Sequence, residues 1–129
     1  MDEKLLLGRP RAPLLLRSEL EEAINRSKGR AYVRSGFAYA TQAGADALLG
    51  SLSSDGWKRS TKRWILGVHH GITEPFVVSM LCKLPNSKVR LFTGGDSLRA
   101  TALTKGPRFH AKVIRIDERD SSQVQLLAI

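Results

Sequence analysis

Phe109-His110-Ala111-Lys112-Val113-Ile114-Arg115-Ile116-Asp117 is the segment from which the rest of the chain can be placed. β-Branched and aromatic residues dominate it, and Gly106-Pro107 breaks the chain just before, so it predicts a β-strand. Residues two apart share a face of a strand, so His110 and Lys112 project together from one platform. Asp117, at an odd offset from His110, projects to the other face, which suits a supporting or structural role. An imidazole beside an ammonium suits a phosphate group. The imidazole can attack phosphorus or carry a proton, and the ammonium neutralises non-bridging oxygens.

Working outward, Glu118 to Ser122 is a polar turn and Gln123 to Ile129 a second strand. The short turn predicts an antiparallel hairpin with 109–117. Upstream, Thr93 to Arg108 is a long segment punctuated by Gly94, Gly95, Gly106 and Pro107. Its Arg99, Lys105 and Arg108 lie just ahead of His110 and are the expected grip on a polyanion. A plain surface loop is the alternative reading.

Further back, Lys88 to Phe92 is a short strand. Ahead of it, Thr73 is the expected cap of a helix with Pro75 in its first turn, burying Phe76, Val77, Met80, Leu81 and Leu84. Trp64 to Val68 is a nearly continuous apolar run, expected to be buried on both faces. A basic connector, Trp57 to Arg63, and a turn at Ser53 to Gly56 precede it. Thr41 caps a helix that turns Ala45, Leu48, Leu49 and Leu52 inward. Arg30 to Tyr39 alternates Ala31, Val33, Ser35 and Phe37 against Tyr32, Arg34 and Gly36, the period of a strand. Ser18 to Glu21 forms a capping box that opens a helix to about Lys28, with Leu20, Ala23 and Ile24 on one face and Gly29 closing it. Residues 1–17, with Pro10 and Pro13 between leucine triplets, predict an arm lying over the domain or a partner subunit.

Strands alternating with helices predict an α/β fold: a mixed, partly parallel β-sheet flanked by helices in a helix–sheet–helix arrangement, spanning 18–129. The 129 residues suffice for one core. No run of apolar residues is long enough to span a bilayer, the N-terminus is a poor secretory signal, and the lone Cys82 excludes an internal disulfide. These features fit a cytoplasmic protein. Cys82 falls in a helical apolar pattern and is expected to be a buried, inert thiol. The formal charge is +9. Basic residues at Arg9, Arg11, Arg17, Lys58, Arg59, Lys62 and Arg63, besides those near His110, favour a nucleic-acid partner; no basic amphipathic helix suits a membrane surface.

His110, Lys112 and Asp117 have the spacing His-x-Lys-x4-Asp, which resembles the signature of the phospholipase D superfamily. Its members include phospholipases, single-motif bacterial nucleases and nuclease domains of restriction enzymes. The order of a strand ending near glycine, a Thr-x-Pro helix start and a short strand before the motif strand is similar to the single-motif branch, and together these cover about the last half of the chain. The resemblance implies a phosphodiesterase, a metal-independent nuclease acting on DNA in preference to RNA. His110 is then the nucleophile, Lys112 the phosphoryl ligand and Asp117 the third member. It implies no cofactor, and a homodimer that supplies a second histidine as general acid. His69 and His70 are the competing histidines; a strand-end histidine bonded to backbone or solvent is their plainer reading. Family members follow the hairpin with Gly-Ser-x-Asn, which this sequence lacks, so the resemblance implies an incomplete domain. The alternative is a non-catalytic nucleic-acid-binding or dimerisation module that keeps the fold.

Overall fold

A computed structural model describes residues 5–6, 13–50, 52–68, 73–92, 112–119 and 123–128. In chain order the elements are β1 (Leu5–Leu6), α1 (Pro13–Arg26), β2 (Ala31–Phe37), α2 (Gln42–Leu49), α3 (Asp55–Arg59), β3 (Thr61–Gly67), α4 (Pro75–Lys83), β4 (Ser87–Phe92), β5 (Lys112–Glu118) and β6 (Val124–Ala128). The strands form one mixed sheet in the order β1-β6-β5-β2-β3-β4. β2, β3 and β4 are mutually parallel, β5 runs antiparallel to both β2 and β6, and β1 is parallel to β6. This is the α/β class with a partly parallel sheet that the strand–helix rhythm predicts.

The register divides the sheet into two unlike faces. Val33 stands beside Lys62 and Ile116, Ser35 beside Trp64 and Ile114, and Phe37 beside Leu66 and Lys112. On this face Val33, Trp64, Leu66, Ile114, Ile116 and Leu126 join Leu20, Ala23 and Ile24 of α1, Trp57 of α3, and Val77 and Leu81 of α4 in one core. Ala45, Leu48 and Leu49 of α2 pack against the same cluster. Each buried aliphatic side chain contributes about 1.5–3 kcal/mol, enough in sum to hold four helices to the sheet. The described helices therefore share a single side, and a helix layer on the other face is not seen among the described residues. Two successive β–α–β connections stepping in the same direction produce that one-sidedness, because each right-handed crossover lays its helix on the same side.

Several local expectations give way to this arrangement. Ile65 is 45% exposed, so β3 is buried on one face only, despite its continuous apolar run. Helix α1 starts at Pro13, where proline's fixed φ and missing N–H are tolerated, so Ser18 lies inside the helix instead of capping it. Glu74, not Thr73, occupies the N-cap of α4, and it makes no side-chain cap bond. Phe76 is 59% exposed and Cys82 is exposed, because α4 turns Val77 and Leu81 fully into the core, with Val78, Met80 and the following Leu84 packed half-buried against it. The turn at Ser53 to Gly56 continues into α3, capped by Ser54 Oγ accepting from Trp57 N. Thr41 does cap α2, accepting from Gly44 N.

Candidate active site

Lys112 opens β5 directly opposite Phe37, the last residue of β2. Because β5 opposes β2, its first residue shares an edge with the carboxyl ends of β2, β3 and β4. In open α/β sheets that edge is where ligands bind. Lys112 is exposed there. The N-terminus of α2, entered from the end of β2, adds the positive end of a helix dipole to the same edge. His110, two residues ahead of Lys112, lies outside the described residues, as do His69, His70, Arg99, Lys105 and Arg108.

The edge is tied together by a residue whose sequence signal pointed to a different job. Thr73 Oγ1 donates to Gly67 O at 2.5 Å and accepts from Ala40 N at 3.2 Å, while Glu74 N donates to Ala40 O at 2.9 Å. The chain leaving β2 is thereby pinned to the chain leaving β3. A threonine two residues before a proline resembles a helix cap, and only the tertiary approach of Gly67 and Ala40 reveals the other use. Tyr39 lies on the same side, lining a mostly apolar pocket of about 150 Å³ with Phe37, Trp64 and Leu66. Ser35, two residues before Phe37 in β2, is buried.

Asp117 lies at the far end of the same strand. It is five positions from Lys112, which along an extended chain is about 17 Å. Its carboxylate is 7% exposed and holds Arg115 Nε at 2.9 Å through Oδ1 and Arg34 at 3.2 Å through Oδ2. The motif thus separates into a Lys112 end at the carboxyl edge of the parallel strands and an Asp117 end locked between two guanidiniums. Asp117 projects to the face opposite Lys112, as the odd spacing requires, and among the described residues its work is structural.

Lys62 departs from the expectation that the basic connector would serve a polyanion. Its side chain is fully buried on the helix-covered face. Nζ donates to Ser60 O at 3.0 Å and Pro85 O at 2.8 Å, and sits 4.5 Å from the centroid of the Trp57 ring. Burial pushes its pKa down to about 8. Among the described residues no group of three or more His, Cys, Asp or Glu side chains could hold a metal ion, and no helix is long and apolar enough to cross a membrane.

No family model, curated protein or solved structure matches the chain.

Proposed function

We propose that the chain is a phosphodiesterase domain acting on nucleic acid, with His110 and Lys112 at the carboxyl edge of the parallel strands. The observation that supports this reading is the exposed Lys112 at that edge, two positions after His110 in the sequence. A ring nitrogen of His110 attacks phosphorus, and an N–P bond forms as the bond to the leaving strand oxygen breaks. A second histidine, from the symmetry mate in a C2 dimer, gives its proton to the departing oxygen. That histidine then takes a proton from water, whose oxygen bonds phosphorus as the N–P bond breaks and His110 is released. Lys112 neutralises the non-bridging oxygens throughout. Arg99, Lys105 and Arg108 would hold flanking phosphates.

A non-catalytic nucleic-acid-binding module is the second reading. It is favoured by the tie of Asp117 to Arg34 and Arg115, far along the strand from Lys112. Incubating the chain with a labelled oligonucleotide in EDTA separates the two. The first reading expects cleavage that His110→Ala abolishes while retention of the oligonucleotide stays within a few-fold. Cleavage at an undiminished rate in His110→Ala would sink the phosphohistidine route, and retention without cleavage in the parent chain would leave the binding module.

A further inference from the structure

The face of the sheet turned away from the described helices carries a straight row of cations. Arg34 of β2 stands directly beside Arg115 of β5 on one side and Arg63 of β3 on the other, and Arg63 stands beside Lys88 of β4. Four neighbouring strands thus present Arg115, Arg34, Arg63 and Lys88 side by side. At the usual strand spacing the row is about 14 Å long. Arg90, one pleat further on, stands beside Ile65 on the same face. Arg34, Lys88, Arg90 and Arg115 are exposed and Arg63 is half-buried.

Like charges placed directly opposite one another on adjacent strands oppose folding. Among the described residues, only the Arg115 and Arg34 end of the row is offset, by Asp117. Arg63 instead donates to the carbonyls of Lys62 and Asn86, which leaves its charge in place. The lower end of the row opens into a shallow depression of about 320 Å³, lined in part by Thr61, Arg63, Asn86, Ser87, Lys88 and Arg119. Three cations and several hydrogen-bond donors meet there, with no carboxylate among the described lining residues.

We propose that this face of the sheet, turned away from the described helices, is a second nucleic-acid surface, on which the cation row Arg115–Arg34–Arg63–Lys88 holds the phosphate backbone of a strand. An evenly spaced line of charge complements a linear polyanion. The face is poor in what a protein partner or a second copy would use. Of the three exposed large hydrophobic residues among those described, Ile65, Phe76 and Leu91, only Ile65 lies on it, and a face of adjacent like charges repels a second copy of itself. Tyr32, with the Arg34 guanidinium 4.6 Å from its ring centroid, adds an aromatic plane beside the row. The surface concerns the same substrate class as the phosphodiesterase reading, but it stands or falls without it.

The test measures retention of a labelled single-stranded 20-mer across a salt series, in the His110→Ala background so that cleavage plays no part. Neutralising Arg63 and Lys88 together (Arg63→Gln with Lys88→Gln) removes two contacts and should reduce the log–log salt slope by about 1.4. The charge-matched pair Lys58→Gln with Lys83→Gln, exposed on the helical side, should leave the slope unchanged. Equal flattening by both pairs would assign the effect to net charge, and no flattening by the first pair would remove the surface; either overturns the proposal. So would a first pair that turns a dimer into a monomer in gel filtration, because the face would then be a self-association surface. An unchanged urea midpoint for each pair confirms that the fold is intact.

Discussion

Asp117→Asn is the substitution that most sharply separates the structural from the chemical use of the motif. The carboxylate accepts from Arg115 Nε at 2.9 and 3.1 Å and from Arg34 at 3.2 Å. Charge-assisted hydrogen bonds contribute roughly 1.5–3 kcal/mol each where both partners are buried. Here the carboxylate is 7% exposed but the arginine side chains are 56% and 46% exposed, so water screens about half of that gain. Asparagine keeps one oxygen acceptor and loses the charge, so the net destabilisation should be about 2 kcal/mol. For a chain of this size that lowers the melting temperature by about 8 °C. Asp117 also offsets two members of a four-cation row, so the variant should regain part of its deficit in 1 M salt, where the screening length falls to about 3 Å. Urea denaturation of both proteins at low and high salt measures this. A deficit below about 0.5 kcal/mol, or one that salt leaves untouched, would refute the electrostatic account. Cleavage per folded molecule should survive the substitution, because the carboxylate is about 17 Å along the strand from Lys112.

Two further outcomes follow from polar side chains that bond to backbone carbonyls. Lys62 has a folded pKa of about 8 against an ordinary 10.5, so between those values the unfolded chain holds a proton that the folded chain has released. Stability from this group therefore rises with pH across that window, by at most about 1.4 kcal/mol per pH unit, and the gain is lost as pH falls through 8. Lys62→Met should abolish that slope; the same slope in the variant, followed by urea midpoints from pH 7.5 to 10, would dismiss Lys62 as its source. Thr73→Val leaves Ala40 N and Gly67 O without the hydroxyl that joins them and should cost about 2 kcal/mol. Hydrogen exchange should quicken at Ala40, and unchanged exchange there would show that the hydroxyl does not pin the edge.

The strands were legible because their period-two alternation survives in the fold. Ala31, Val33, Ser35 and Phe37 do share a face, and the hairpin of β5 with β6 follows from the short polar turn. The one-sided helix layer was not legible in Trp64 to Val68, since an apolar run carries no mark of which side will be covered. Ile65 is exposed because its face stands beside Arg90 and Gly36 rather than beneath a helix. Thr73 and Lys62 carry no sequence mark of their structural use, for a shared reason. Their partners, Gly67 and Ala40 for one and Pro85 and Trp57 for the other, approach only through tertiary packing. The cation row was present in the sequence as Arg34, Arg63, Lys88 and Arg115, but its straightness depends on the register across four strands. For the site itself, the sequence supplied His110 and Lys112, and the fold supplied the edge at which Lys112 stands.

The antiparallel course of β5 has a consequence for how the molecule assembles. The run from β2 to β4 is one β–α–β–α–β unit, and β5 with β6 is a separate hairpin. Seven paired positions between β2 and β5, from Ala31–Glu118 to Phe37–Lys112, unite them. Those contacts join residues roughly 75 to 90 positions apart, so their loop-closure cost falls late and makes the docking of hairpin onto unit the natural slow event in folding. Before that docking Lys112 has no carboxyl edge beside it, and Arg115 has no Arg34 to oppose. Docking therefore adds Lys112 to the carboxyl edge and Arg115 to the cation row in the same step, and a chain arrested before it would hold only the Arg34–Arg63–Lys88 part of the row.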